Sequence, residues 1–448
     1  MRNRPESYKK IYVTIADALF LTLATLCFSM VWLKDINQLM RVYFQGKGNL
    51  LIILCYIAAL IIMLHIFGGL KLDYYKIANL LISQFFGLVC THIILTIQMI
   101  LMVGRVAAIG AITKNMVILF LINFLVISCI TIISVKIYNR LFPPYKLLHV
   151  HGDYKNNLKK KISMRSDRYV IEKDIHFSEL EKEYLNEFFQ YDGIVLNDIP
   201  SAEKNNLLKI CFDHRIRVYF VPKISDIFVK AAEEINVFDT PMFLCQNMDL
   251  SISQKIAKRV MDIFLSMLVL IITSPIMGVV ALIIKMEDGG PVIYSQERCT
   301  IDGKCFMLHK FRSMRVNAEE GGGARLAKKD DDRITKIGKV IRASRIDELP
   351  QLANILKGEM SFVGPRPERP EFVRVNSEEI PEFQYRMKVK AGLTGYAQVF
   401  GKYNTSFLDK LKLDLLYIEK YSILLDIQII LMTLKVIILK ESSEGVED

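Results

Sequence analysis

Four apolar runs occupy the first third of the chain, at about 11–33, 50–70, 77–103 and 115–137. Each is near or above the ~20 residues a helix needs to cross ~30 Å of hydrocarbon. The first has too long a core for a cleaved signal peptide, and three more follow it. The 448 residues exceed one ordinary domain of ~100–200 residues and imply two or three units. Hydrophobic residues make up 52% while 23% are charged, so the apolar excess is gathered in blocks and a wholly soluble globule is excluded.

Four helices return the chain to the side on which it started. Arg2, Arg4, Lys9 and Lys10 precede the first run and Lys136, Arg140 and Lys146 follow the last, whereas the first and third connections hold fewer basic residues, such as Lys34, Arg41, Lys47, Arg105 and Lys114. The excess of Lys and Arg places both ends of this region in the cytoplasm. Asp17, His65 and His92 are the ionisable groups inside the runs that merit weighing, and no series of them follows one helix face, which favours packing over transport. The net charge of +11 suits anionic partners such as phosphorylated ligands or lipid headgroups. Eight cysteines without a CxxC indicate neither a disulfide framework nor a zinc site, and a single Trp with seven scattered His gives no base-stacking pattern for nucleic acid.

A fifth run, 261–286, is long enough to span but carries Ser274-Pro275 at its centre, with Lys255, Lys258 and Arg259 before it and Lys285 after it. Proline removes a backbone donor and clashes with the preceding turn. A helix broken at Ser274-Pro275 that enters the bilayer and returns to the same face satisfies the charge pattern. A Pro-kinked fifth transmembrane helix is the alternative that periodicity leaves open.

The soluble parts differ in kind. From about 147 to 247 strands expected at 147–150, 193–196 and 217–221 alternate with helices expected around 177–190 and 202–213, a small parallel α/β layer. Its first strand runs into His151-Gly152-Asp153-Tyr154 without the glycines of a dinucleotide fingerprint, so a regulatory or assembly module is expected. His149 and His151 share a strand face, but no third ligand accompanies them. Beyond 287, Gln296-Glu297-Arg298 and Lys310-Phe311-Arg312-Ser313-Met314 place cations on short extended segments. Glu319-Glu320 and three glycines read as a loop, and Asp330-Asp331-Asp332 as a surface charge run rather than a metal motif. Asp347-Glu348-Leu349-Pro350 opens a helix; Asp347 is either a plain N-cap or one of two adjacent carboxylates that project ~100° apart, one towards a metal and one towards phosphorus. Arg366 is held stiffly between Pro365 and Pro367, as bidentate phosphate recognition requires. No P-loop, G-x-S-x-G or H-E-x-x-H is present. The run 423–439, interrupted by Asp426, Gln428 and Lys435, reads as an amphipathic helix in the membrane interface.

Taken in order, Lys258-Arg259 with Asp262, Ser274-Pro275, Gln296-x-Arg298, Lys310 to Met314, Asp332-Arg333-Ile334-Thr335, Asp347 to Leu352, Gly358 to Pro367, Gly392-Leu393-Thr394-Gly395-x-x-Gln398, Asp414-x-x-Tyr417 and Tyr421-Ser422 resemble the bacterial sugar transferases, the monotopic polyprenyl-phosphate glycosyl-1-phosphate transferases, over about 190 residues. The four spans and the degenerate α/β layer look like the long form of that family. Thr300, Ala391 and the ending Glu441-Ser442-Ser443-Glu444 depart from its usual pattern, and none of them touches the acidic pair.

The resemblance implies a membrane protein with a four-helix bundle at 1–146, a Rossmann-like α/β domain at 147–250, and a catalytic α/β domain at 251–448 with a re-entrant helix and interfacial helices. It also implies transfer of a sugar 1-phosphate from a UDP-sugar to undecaprenyl phosphate with release of UMP, the initiating step of capsule, exopolysaccharide or O-antigen synthesis. Asp347 would be the nucleophile, Glu348 the Mg²⁺ ligand, Lys310, Arg312 and Arg366 the phosphate clamps, and Arg298, Gln296 and Asp414 weaker substrate-binding candidates. The expected location is the bacterial inner membrane with the catalytic domain facing the cytoplasm; the partners are the two substrates and the bilayer, with no nucleic acid and with room for a homodimer. The rival reading is a membrane receptor or scaffold that binds a nucleotide without turnover, in which Asp347 only caps a helix.

Overall fold

The computed structural model describes residues 6–154, 156–180, 188–245, 250–316, 331, 333–401 and 405–438. The chain divides into two compact units, Met1–Val221 and Pro222–Asp448. Five helices among the described residues are long and apolar enough to cross a membrane. Four of them lie in the first unit: α1 (Glu6–Val31), α2 (Lys47–Phe67), α3 (Ile77–Val103) and α4 (Ile109–Leu141). Their core is aromatic and aliphatic, with Phe28 stacked on Tyr56 at 4.2 Å between ring centroids. A Cβ on Gly87 would lie 2.9 Å from Leu64 Cδ2, so α2 and α3 approach each other where a side chain is missing. Polar groups inside bond within and between the helices: Thr131 donates to Gln84 Oε1 at 3.0 Å, Asn123 to Tyr56 Oη at 2.9 Å, and His92 Nδ1 lies 2.9 Å from the Leu88 carbonyl. These are the contacts of packed helices.

The same unit carries a four-stranded parallel sheet of β1 (Tyr145–His151), β2 (Tyr169–His176), β3 (Gly193–Asn197) and β4 (Arg217–Phe220), in the order β2-β1-β3-β4. Every residue of β3 is buried, as a central parallel strand requires. Strand β2 is an edge element that the sequence reading did not anticipate. Its alternating half-buried pattern is weak, and where a helix was expected around 177–190 there is a 3₁₀ turn at Phe177–Glu179, with 181–187 outside the described residues. The sheet is tied to the helices of its own unit: Arg168 donates to the Leu72 carbonyl at 3.0 Å and lies over the Tyr138 ring.

In the second unit a helix, α5 (Ile224–Ala231), buries Ile227 in one core cluster with Val363, Phe383, Leu411 and Leu415. An antiparallel hairpin of β5 (Glu233–Val237) and β6 (Thr240–Leu244) follows. The fifth apolar helix, α6, runs from Ile252 to Asp288, starts in a capping box of Ser251 and Gln254, and ends at Gly289 in the left-handed region (φ 72°). The break expected at Ser274-Pro275 does not interrupt it. Pro275 leaves the Ile271 carbonyl without its usual N–H, and the Ser274 hydroxyl donates to that carbonyl at 2.9 Å, so the helix continues through the proline. The remaining elements are a hairpin of β7 (Ile293–Cys299) and β8 (Cys305–Phe311), helices α7 (Lys336–Ala343) and α8 (Gln351–Lys357), a two-stranded parallel pair of β9 (Ser361–Val363) and β10 (Gly392–Thr394) flanking α9 (Pro370–Glu379), and helices α10 (Tyr396–Phe400), α11 (Phe407–Glu419) and α12 (Ile423–Ile438). Glu319 to Gly323, Asp330, Asp332 and the ending at 441–444 lie outside the described residues.

Both halves of α6 are fastened to this unit. Near its start Lys258 donates to Asp426 at 2.6 Å and to Tyr417 Oη at 3.1 Å, Arg259 donates to the Ile355 and Leu356 carbonyls at the end of α8, and Asp262 accepts from Ser361 Oγ and the Phe362 amide. Near its end Val280 and Ile284 pack on Phe311 and Ile341, and Asp288 pairs with Arg312. On the other side of the helix Ile271, Ile272, Val279 and Leu282 stay exposed. Helix α12 inverts the usual surface pattern: Asp426 and Lys435 are buried while Leu424 and Leu434 face outward. Removing one partner of a buried ion pair strands the other charge, which costs about 3–5 kcal/mol, whereas replacing both with apolar residues of similar size costs far less. Asp426→Leu is therefore expected to lower stability by about that amount and Lys258→Met/Asp426→Leu to recover most of the loss, as measured by thermal denaturation of the detergent-solubilised protein.

Candidate active site

Strand alternation aims Gln296, Arg298 and Lys310 to one face of the β7–β8 hairpin, because they occupy positions of the same parity across the register that pairs Tyr294 with Lys310 and Arg298 with Phe306. Opposite them, Ile346–Glu348 forms a 3₁₀ turn entered through Arg345 in the left-handed region (φ 57°). Helix α8 then starts after Pro350 with no side-chain cap, so Asp347 is not its N-cap. The acidic pair is buried in the turn, with Asp347 7% and Glu348 8% exposed.

Three cations converge on a single oxygen of Glu348. Lys310 Nζ, Arg366 Nη2 and Arg345 Nη1 lie 3.3, 3.0 and 3.5 Å from Oε1. Asp347 Oδ1, in contrast, is buried and makes no hydrogen bond among the described residues. The two neighbours are driven apart electrostatically. Burial works to raise the Glu348 carboxyl, but Lys310, Arg366 and Arg345 outweigh it and hold the group well below the usual carboxylate range. Burial, followed by the negative charge of Glu348, pushes Asp347 above that range, with Lys310 in opposition. Burial also lowers Lys310, against the pull of Glu348. Arg298 is pushed down to about 10 by burial and by Arg366; it donates to Gln296 Oε1 at 2.7 Å and to the Pro367 carbonyl at 3.4 Å.

Arg366 is mounted through its backbone. Its flanking prolines fix φ on either side of the mount, the Gly364 amide donates to Thr394 and the Gly392 amide to Pro365, each at 2.9 Å. A Cβ on Gly392 would lie 2.0 Å from the Gly364 nitrogen, so the two strands meet only because that side chain is absent. Behind this mount Arg386 donates to the Arg366 carbonyl at 3.0 Å and pairs with Asp414 at 2.8 Å and Glu368 at 3.4 Å. Burial lifts Asp414 to about 6 in spite of Arg386.

The structure thus gathers Lys310, Asp347, Glu348 and Arg366, with Arg298 and Gln296 beside Arg366. Arg312 is placed elsewhere: it is buried against Asp288 and Gly290 at the end of α6 rather than on Glu348. Asp414 stands behind the mount and acts on Arg366 through Arg386. Ser274 and Pro275 lie inside α6. Arg345 and Arg386 were missed by the sequence reading. Arg345 had a local signal, its position two residues before the acidic pair; Arg386 had none, because its partners are 18 and 28 positions away in sequence and only folding joins them.

Carboxylate oxygens are the donors a hard cation such as Mg²⁺ takes, one or two at a time together with substrate phosphates, and among the described residues no group of three or more His, Cys, Asp or Glu side chains gathers to hold a metal by itself. Arg386→Met removes the ion-pair partner of the buried Asp414 and is expected to cost about 3–5 kcal/mol, while Arg386→Lys retains the charge and most of that stability; denaturation midpoints of the two variants measure the difference.

The family model that matches is that of bacterial sugar transferases, over residues 253–440. An Aeromonas hydrophila UDP-N-acetylgalactosamine-undecaprenyl-phosphate N-acetylgalactosaminephosphotransferase is 36% identical over 255 residues, 56% of this chain and 59% of that protein. A Klebsiella pneumoniae UDP-glucose:undecaprenyl-phosphate glucose-1-phosphate transferase is 39% identical over 241 residues, 51% of this chain and 50% of that one. A Bacillus subtilis (strain 168) relative is 51% identical over 130 residues, which are 29% of this chain and 72% of the relative. The chain spans about half the length of the first two of these relatives.

Proposed function

The chain belongs to the bacterial sugar transferase family, and we propose on that premise that it transfers a sugar 1-phosphate from a UDP-sugar to undecaprenyl phosphate, giving the lipid-linked diphosphate sugar and UMP as the first membrane step of capsule, exopolysaccharide or O-antigen synthesis. One observation carries the mechanism: an unpartnered Asp347 oxygen lies next to a Glu348 saturated with three cations. Asp347 Oδ1 attacks the sugar-bearing phosphorus, the phosphorus–oxygen bond to the nucleoside phosphate breaks, and UMP leaves. An oxygen of undecaprenyl phosphate then attacks the same phosphorus and frees the Asp347 carboxylate. Splitting one displacement between two anionic substrates into two steps is what a covalent nucleophile contributes.

Each neighbouring residue has a task in this scheme. Lys310 and Arg366 hold phosphate oxygens against the repulsion of the acidic pair, and the stiff mount of Arg366 keeps that contact in place. Arg298 and Gln296 extend the polar surface beside Arg366. Glu348, with the substrate diphosphate, would hold Mg²⁺, whose charge offsets that of the phosphates. Arg386 and Asp414 are positioning residues. The receptor or scaffold alternative needs Asp347 as a helix cap, and helix α8 lacks such a cap.

The re-entrant topology belongs to the same proposal, with the catalytic part 251–448 on the cytoplasmic face of the inner membrane and 1–146 and 147–250 as anchoring and accessory parts. Its support is that Lys258 to Asp262 at one end of α6 and Val280 to Asp288 at the other contact one unit, although 37 residues of straight helix would extend ~55 Å. Single cysteines placed near 258 and near 290 are expected to react with an impermeant thiol reagent only from the cytoplasmic side; labelling from opposite sides would instead establish a spanning helix.

Membranes containing the protein, incubated with a panel of UDP-sugars and undecaprenyl phosphate, should release UMP with one of the sugars. Without the lipid, about one equivalent of UMP per enzyme is expected, as covalent catalysis requires. Asp347→Asn abolishes this release, and UMP that appears only with both substrates present would replace the covalent step by direct transfer. Because the attacking form is the ionised carboxylate and burial raises its pKa, activity rises with pH, and the acid limb of the rate profile should lie above the ordinary Asp value of ~3.9.

A further inference from the structure

The β7–β8 hairpin carries two thiols that the transfer chemistry does not use. Cys299 and Cys305 are paired directly across the strands, and their sulfurs lie 3.9 Å apart. The Cys299 amide donates to the Glu368 carbonyl, outside the hairpin, while the next pair inward on the turn is closed by the Thr300 amide on the Lys304 carbonyl. Cys299 and Cys305 therefore occupy a non-hydrogen-bonded position, where Cα atoms stand about 4.5 Å apart, within the span of a disulfide. The two thiols also differ in access. Cys299 is buried, and burial, then its neighbour Cys305, pushes its thiol up to about 11. Cys305 is exposed and borders an open groove of about 450 Å³ that Cys299, Gly303, Val373 and Arg374 also line.

We propose that Cys299 and Cys305 form a reversible thiol/disulfide couple, a modification site through which peroxide restrains the transferase. In the first step the Cys305 thiolate attacks hydrogen peroxide; its oxygen–oxygen bond breaks, Cys305 becomes a sulfenic acid, and hydroxide takes up a proton to leave as water. In the second the Cys299 sulfur attacks the sulfenic sulfur, the sulfur–oxygen bond breaks, and a second water departs with the Cys299 proton. Two thiols have then lost two electrons and two protons to one peroxide. A thiol reductant reverses the reaction by attack on the disulfide.

The consequence for the site follows from how the hairpin is attached. Bond formation draws the sulfurs from 3.9 Å to about 2.0 Å. The backbone of Cys299 is tied to Glu368, the adjacent Arg298 to Pro367, and the adjacent Thr300 to Glu359 and Ala391. These are the segments on which Arg366 is mounted. A movement of even part of that distance pulls Arg366 away from Glu348, and misplacement by about 1 Å of a positioning group costs up to about a hundredfold in rate.

This effect on rate rests on the transferase reading above, whereas the formation of the bond does not. The test treats the full chain in detergent or nanodiscs with hydrogen peroxide, identifies linked peptides by mass, and follows UMP release before and after dithiothreitol. The expected result is a Cys299–Cys305 cross-link, about a tenfold fall in UMP release and recovery on reduction, with Cys305→Ser keeping full activity through the same treatment. Cys305 found only as sulfinic or sulfonic acid, or a cross-link that leaves the rate unchanged in the wild-type protein, would overturn the proposal. Should the reduced protein release no UMP with any sugar, the transferase reading fails and the peptide mass alone decides for or against the thiol couple.

Discussion

Glu348 can remain ionised in a buried turn only because Lys310, Arg345 and Arg366 meet on one of its oxygens. Each cation comes from a different element: a strand of the hairpin, the residue that opens the 3₁₀ turn, and the proline-flanked segment after β9. The convergence therefore sets the relative positions of three pieces of chain. It also sets the character of Asp347, which shares the turn but has no cation on its buried oxygen among the described residues and is raised by burial and by the neighbour that the cations keep charged. An ionised, saturated carboxylate next to an unsaturated one is a division of labour produced by environment, since the two side chains differ by a single methylene.

Holding Arg366 in that cluster takes a second tier of structure. Proline on either side restricts its backbone, glycines at 364 and 392 let β9 and β10 come together, and Arg386 clasps the Arg366 carbonyl from behind. Arg386 is itself buried, and its charge is balanced by Asp414 and Glu368. Arg366 thus rests on a buried ion network rather than on a flexible surface loop.

Helices α6 and α12 show the same logic turned inside out. Their charged residues Lys258 and Asp426 pair with each other and with Tyr417 inside the protein, while Ile271, Ile272, Leu282 and Leu424 are left on the outside. Apolar residues outside and charges inside suit hydrocarbon, where an unpaired polar group costs several kcal/mol. The Ser274 hydroxyl supplies the donor that Pro275 cannot, which is why the proline stands inside a helix without leaving the Ile271 carbonyl bare.

Much of this was legible in the residue order. Long apolar runs specify helices by length and hydropathy alone, because backbone groups in hydrocarbon must bond within their own segment. The contiguous sets Asp347-Glu348 and Pro365-Arg366-Pro367 announced the carboxylate pair and its stiff cation, since neighbours in sequence stay neighbours in space. The weakly patterned edge strand β2 was not legible, nor was the continuity of α6 through Pro275, which depends on where a hydroxyl points. Only the tertiary structure decided that Arg312 belongs to Asp288, that Arg345 joins Glu348, and that Arg386 steadies Arg366. Charge pairing acts over a few ångströms of space and is indifferent to sequence separation, so which cation meets which carboxylate is settled by the packing of the elements that carry them.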